Sequence, residues 1–186
     1  MKFLSNLDRV SEDNINSEIM KNVMDFIISK QKPNGVWYYS ENENNERRQV
    51  DFHQGFMIES LNDFIKNTNS TEYLNALTNG IEFYRNEQFF ENGMCKYRWP
   101  KVFPIDIHNQ AQGIITFSKL SRINPEYLEF AKRIAFWTIE NMQDPSGYYY
   151  YRKHRFFMNK IPYMRWGQAW MMLALSTLLE AMQYGE

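Results

Sequence analysis

The chain has 186 residues, 44% apolar, 17% aromatic and 23% charged. That is long and apolar enough to bury a sizeable core, and it excludes disorder over most of the length. A formal net charge of −1 argues against a general nucleic-acid binder, and the one cysteine, Cys95, excludes an internal disulfide and a cysteine-based zinc site.

In chain order, Met1 to Val10 carries charges and lacks the apolar run of a signal peptide. A first helix is predicted over 15–31, with Ile19, Val23, Phe26 and Ile27 recurring at helical spacing. Pro33, Asn34 and Gly35 stop it, an extended aromatic segment Val36–Tyr39 follows, and Glu41–Arg48 reads as a polar loop. A second helix is predicted over 51–67. The pattern then repeats: helix 71–89 (Leu74, Leu77, Ile81, Tyr84), aromatic segment Met94–Trp99, helix 106–122. It repeats once more as helix 125–142 (Tyr127, Phe130, Ile134, Trp137), aromatic segment Tyr148–Phe157, helix 162–183.

The glycines mark the period. Gly35/Gly55, Gly93/Gly113 and Gly147/Gly167 are each 20 residues apart, and each first member follows a helix ending in a glutamine: Gln31, Gln88 and Gln143. Glycine at the equivalent point of each second helix costs about 1 kcal/mol of helix propensity, which points to close packing or to room for a ligand. The second helix of each unit is more apolar around its circumference than the first, most of all the last one, and therefore reads as the inner, more buried member. Concentric inner and outer helices give an all-α fold: three helical hairpins forming an arc or half of an α/α toroid, with short β-hairpins in the loops, expected as a single domain over 1–186. Trp166–Leu179, the longest apolar stretch, is interrupted by Gln168, Ser176 and Thr177 and falls short of the roughly 20 residues that span a bilayer. No membrane span and a cytoplasmic location are expected.

The starts of the inner helices carry a resemblance. Val50-Asp51-Phe52-His53-Gln54-Gly55-Phe56, Pro104-Ile105-Asp106-Ile107-His108-Asn109-Gln110-Ala111-Gln112-Gly113 and Pro162-Tyr163-Met164-Arg165-Trp166-Gly167-Gln168-Ala169-Trp170 resemble those of six-hairpin, α/α-toroid carbohydrate-active proteins. More narrowly, they resemble the C-terminal half of toroid proteins associated with bacterial exopolysaccharide biosynthesis. The resemblance implies an oligo- or polysaccharide ligand at the rim where loops lead into the inner helices. It does not select among hydrolysis, β-elimination and epimerisation, because the fold hosts all three. Family toroids are larger, which leaves open a homodimer or a partner chain that closes the toroid, ends buried by the chain's own termini, or a part of a longer ancestral toroid. An arc with open ends would expose apolar inner-helix faces.

Two of the three inner-helix starts carry Asp-x-His, as Asp51/His53 and Asp106/His108. These pairs read either as general acid–base groups or as helix caps with histidines hydrogen-bonded to nearby loops. Arg165 and Trp166 hold the third position, able to grip a carboxylate and stack on a sugar, or to pair with Asp51 or Asp106. The run Tyr148–Phe157, with Tyr149, Tyr151 and Arg155, alternates aromatic and basic residues. It suits an acidic glycan, or it is a hairpin with buried aromatics and solvated cations. Trp37, Tyr38, Tyr97, Arg98 and Trp99 occupy the matching segments of the other units. P-loop, G-x-G-x-x-G, H-E-x-x-H and calcium-loop patterns are lacking, and His53, His108 and His154 have no metal-ligand spacing, so neither metal nor cofactor is expected. The eleven methionines read as core filler.

Overall fold

The computed structural model describes residues 17–40 and 48–183; the stretch Met1–Val10, the start of the first predicted helix and the loop Glu41–Arg48 up to Arg48 lie outside the described residues. The chain divides between Arg85 and Asn86 into two compact units. The first holds α1 (Ser17–Ser29), α2 (His53–Thr68) and α3 (Leu74–Phe83), which runs on into a π-helical turn, Tyr84–Gln88. The second holds β1 (Ile105–Asp106), α4 (Ile107–Leu120), α5 (Glu126–Met142), β2 (Arg152–Lys153) and β3 (Met158–Asn159), then a π-helical turn Met164–Gln168 leading into α6 (Ala169–Gln183). The six predicted helices are all present. The predicted aromatic hairpin is β2–β3, which joins β1 in an antiparallel sheet of order β1-β2-β3, with Asp106 opposite Arg152.

The three outer helices end in the same turn. Gly35, Gly93 and Gly147 all sit at positive φ (+86, +91 and +101°), where a Cβ is strained. In each turn the glycine N–H bonds to the carbonyl three residues back: Gly35 to Lys32, Gly93 to Phe90, Gly147 to Asp144. A side-chain amide, buried in the first two units and half-buried in the third, then locks each turn to its inner helix. Gln54 Oε1 accepts from Trp37 N–H (3.1 Å) and its Nε2 donates to the Gly35 carbonyl. Gln110 does the same with Cys95 N–H (2.6 Å) and the Gly93 carbonyl, and also donates to Thr138 Oγ1. Gln168 clamps both the N–H and the carbonyl of Tyr149, each at 2.8 Å.

These bonds correct the register inferred from the glycines. Relative to the clamping glutamine, Gly55 lies one residue after, Gly113 three after and Gly167 one before. The second glycines are therefore not equivalent, and each has its own surroundings. A Cβ on Gly113 would fall 2.3 Å from Phe89 Cζ, whereas Gly167 has ordinary room beside Ile107. Two of the three helix-end glutamines act alike. Gln31 and Gln143 donate to the carbonyls of Gly35 and Gly147, four residues on. In the middle unit the residue four before Gly93 is Phe89, and Gln88 is fully buried one place earlier, inside the π-helical turn that absorbs the extra residue.

Two helices bury other faces than expected. In α1 the core takes Met20 and Met24, while Ile19, Val23 and Phe26 are exposed. In α6, read from sequence as the most buried inner helix, only Met171, Ala174 and Leu178 are buried. The inner helix that is buried nearly all round is α4, packed against both α5 and α6.

The glycine turns differ in what surrounds them, which makes a graded prediction. A Cβ on Gly93 would stand 2.7 Å from the Arg133 carbonyl oxygen, while nothing among the described residues lies within 4 Å of one on Gly147. Gly93→Ala is expected to cost backbone strain plus a clash, about 2–4 kcal/mol, and Gly147→Ala strain alone, about 1 kcal/mol. Urea denaturation of both variants checks the order.

Candidate functional site

The second unit gathers the densest set of polar and aromatic groups at the start of α4. Asp106 caps α4 by accepting His108 N–H on Oδ1 (3.0 Å), and its Oδ2 accepts from Arg152 Nε at 2.6 Å. The β1–β2 pairing sets Arg152 opposite Asp106, so two residues 46 apart in sequence share an ion pair in which the carboxylate is buried and the guanidinium half-buried. The guanidinium lies between two phenol rings, 4.3 Å from the Tyr151 centroid and 5.1 Å from that of Tyr97. Burial pulls its pKa down and the Asp106 charge more than offsets this, so it stays charged. Arg98 rests on the other contact of the Tyr97 ring, 4.9 Å from its centroid, and Tyr163 meets Tyr151 edge to face. The His108 ring packs on Trp170, centroids 4.4 Å apart. Asn109 fixes the Tyr97 segment by donating to the carbonyls of Lys96 and Tyr97.

The first unit builds its Asp-x-His differently. His53 Nδ1 lies 2.6 Å from Asp51 Oδ1, which also accepts the His53 backbone N–H. Gln49 donates to Asp51 Oδ2. Burial pushes the Asp51 pKa up, but the hydrogen bonds from His53 and Gln49 win, and the carboxyl sits below its ordinary 3.8. The half-exposed imidazole stacks on Phe52 and meets Tyr39 edge-on. A buried carboxylate orienting a solvent-reachable imidazole is an arrangement suited to proton transfer. The two Asp-x-His motifs share one feature, each aspartate accepting the backbone N–H of its histidine, and add to it differently: Asp51 contacts the His53 ring and Asp106 pairs with Arg152.

The other sequence-derived candidates separate by exposure. Trp37 is core, not rim: it is buried, donates its indole N–H to the Ile27 carbonyl, and covers Gly80. Tyr149 is buried likewise, its backbone clamped by Gln168 and its phenol pKa pushed up by burial. Tyr38 is half-buried with Lys32 and Arg48 against its ring. Trp99 is tied to Glu87 through its indole N–H. Arg155 lies on Phe156 at the exposed hairpin tip, and Arg165 on the exposed Trp166. Arg165 has no carboxylate partner among the described residues; the partner of Asp106 is Arg152. Sequence reasoning passed over Arg152, whose role depends on strand pairing. It also left the clamping action of Gln54, Gln110 and Gln168 unread, although their place at every inner-helix start was a readable signal. Among the described residues no group of His, Cys, Asp and Glu could hold a metal, and no helix is long and apolar enough to cross a membrane.

Neither a protein-family model nor a curated protein matches the sequence. Solved structures do. The cellobiose 2-epimerase of Bacillus thermoamylovorans matches at TM-score 0.72 and 16% identity, over 98% of this chain and 51% of that one. An unsaturated glucuronyl hydrolase from Bacillus sp. GL1 matches at 0.73 and 14%, over 95% and 52%. A GH76 α-mannanase of Bacteroides thetaiotaomicron matches at 0.67 and 17%, over 97% and 56%. At these identities the likeness shows the fold: all-α, three helical hairpins, as in half of an α/α toroid. The chain spans about half the length of the solved structures it matches.

The depressed Asp51 pKa sets a pH dependence. A carboxyl titrating lower in the folded chain than in the unfolded one adds stability above the unfolded value, lost as pH falls through the folded one. Asp51→Asn is expected to be about 1–3 kcal/mol less stable than the parent at pH 7, the strength of hydrogen bonds to a charged group. The gap should close as pH drops below 3.8. Thermal melts of both proteins from pH 7 to pH 2 read this directly.

Proposed function

We propose that the chain is a carbohydrate-active protein that takes an acidic saccharide at Arg152, as part of making or processing an acidic polysaccharide. The observation that carries this is the guanidinium lying over the rings of both Tyr97 and Tyr151 with its Nε committed to Asp106. Anchored through Nε, an arginine can offer its two terminal NH2 groups to a ligand carboxylate, and the flanking phenols and the half-exposed Tyr163 offer faces and hydroxyls to sugar rings. The nature of the structural neighbours agrees: an epimerase, a hydrolase of unsaturated glucuronyl groups and a mannanase all act on sugars. The resemblance to exopolysaccharide-associated toroids favours the acidic polymer.

Turnover by hydrolysis, β-elimination or epimerisation would need a proton donor and acceptor at a sugar ring. In this reading Asp51–His53 is the first acid–base candidate, because its imidazole Nδ1 lies 2.6 Å from the carboxylate, and Asp106–His108 is the second. Trp99, Arg98, Arg155, Arg165 and Trp166 remain candidate ligand contacts. A second reading, an assembly module that completes a toroid with a homodimer mate or a partner chain, is favoured by the apolar surface left exposed on α6.

The test is calorimetric binding of glucuronate-containing and neutral oligosaccharides of equal length to the parent and to Arg152→Lys. Lysine keeps a cation beside Asp106 but loses the fork. The acidic ligand should bind about 10–100-fold more weakly to the variant, equivalent to about 1.5–3 kcal/mol, while neutral ligands are unchanged. Equal affinity of parent and variant for the acidic ligand would sink this site.

A further inference from the structure

The β2–β3 hairpin and the segment that returns from it to α6 combine two kinds of side chain that seldom share a surface facing water. From Pro145 to Leu179 the sequence has no acidic residue, while Arg152, Lys153, Arg155, Lys160 and Arg165 follow one another closely. Arg152 pairs with Asp106. The other four cations have no carboxylate partner among the described residues: Arg155 lies on Phe156, Lys160 on Tyr150 and Arg165 on Trp166. Between them stand bare apolar groups. Phe156 is 89% exposed, Met164 75% and Phe157 63%, and Ile161 and Trp166 are exposed as well. A cluster of exposed apolar side chains on this scale marks a surface that meets something.

The tip is braced, so its rings are presented to solvent and do not fold back on the sheet. Lys153 pairs with Met158, and the His154 N–H donates to the Phe157 carbonyl at 2.8 Å. The His154 ring stacks on Phe157, with centroids 4.1 Å and planes 10° apart. Phe156 projects from this turn. Phenylalanine, isoleucine and methionine offer a sugar hydroxyl no hydrogen-bonding group, and an exposed tip lacks the enclosing walls of a ligand pocket. Hydrocarbon is the phase such groups partition into. The charge around them narrows the choice further. Lysine and arginine carry their charges on long apolar stems, so the cations can stay at the level of lipid phosphates while the rings go deeper.

We propose that this hairpin seats the protein on a bilayer surface that contains anionic lipid. Phe156 and Phe157 enter the boundary between headgroups and acyl chains, and Lys153, Arg155, Lys160 and Arg165 meet the phosphates. The inference does not rest on the saccharide reading, whose anchor is Arg152.

The test is co-sedimentation of the full chain with vesicles of phosphatidylcholine alone and of phosphatidylcholine with phosphatidylglycerol at about three to one. The parent should bind the anionic vesicles at low salt and leave them as ionic strength rises. A variant with Arg155→Gln, Lys160→Gln and Arg165→Gln should bind about 100-fold more weakly. A second, with Phe156→Ser and Phe157→Ser, should lose at least about 10-fold while its helix content by circular dichroism stays that of the parent. Insertion has its own readout: Phe156→Trp should add fluorescence that lipids with brominated acyl chains quench. No binding to the anionic vesicles overturns the inference. Full binding by the serine variant does so too, because adsorption would then need charge alone. Binding of soluble polyglucuronate, or self-association in sedimentation, that the same variants lose while vesicles are ignored gives the surface to an acidic polymer or a second copy and overturns it equally.

Discussion

The interaction on which the rest depends is the glutamine that reaches from the start of each inner helix to the chain just beyond the outer helix. A backbone leaving a helix through a positive-φ glycine exposes N–H and carbonyl groups that need partners once buried. The carboxamide of Gln54, Gln110 or Gln168 offers a donor and an acceptor side by side, and so satisfies both with one side chain. Nothing apolar could do this, and an acid could not donate. The clamp also fixes the depth of the residues beside it. Asp51 and Asp106 stand three and four residues before their glutamines, and the aromatic segments Trp37–Tyr39 and Cys95–Trp99 run on from the clamped peptide groups.

Small shifts of register around that fixed point turn similar sequences into unlike sites. With three residues between it and Gln110, Asp106 serves as the N-cap of α4 while pairing across β1–β2 with Arg152. With only two before Gln54, Asp51 stands one place ahead of the α2 N-cap Phe52 and keeps an oxygen on the His53 ring. Repetition supplies the scaffold, and one-residue differences supply chemistry. Phe89 makes the same point: an extra residue, taken up by a π-helical turn, sets an aromatic ring over Gly113 where the other units place a glutamine amide.

The helices were legible because each carries several turns of period, so a misplaced residue changes little. The turn glycines were legible because positive φ leaves few alternatives. The second glycines misled because equal spacing of 20 residues looks like equivalence, yet helix starts slide by up to four residues against a fixed clamp. Burial of α6 was overestimated because apolar composition reports what a helix would bury, not whether a neighbour is present to cover it. For the candidate site, Asp51, His53 and Asp106 stood out through their motif. Arg152 did not, since its meaning arises from a strand pair joining distant segments, which no local pattern encodes.

Each unit of a repeat buries only what its neighbours cover. Among the described residues α1 leaves Ile19, Val23 and Phe26 exposed at positions whose counterparts in α3 and α5 are buried, and α6 leaves Met172, Leu179 and Met182 exposed along one face. Stability and ligand recognition are then linked through the same helices, because α6 also carries Trp170 against His108 and begins with the clamp on Tyr149. Anything that covers α6 restrains the Tyr149–Arg152 segment and, through it, the guanidinium on which the proposed saccharide site turns. Occupancy of the site and coverage of the helix should therefore be thermodynamically coupled, each favouring the other by the same free energy.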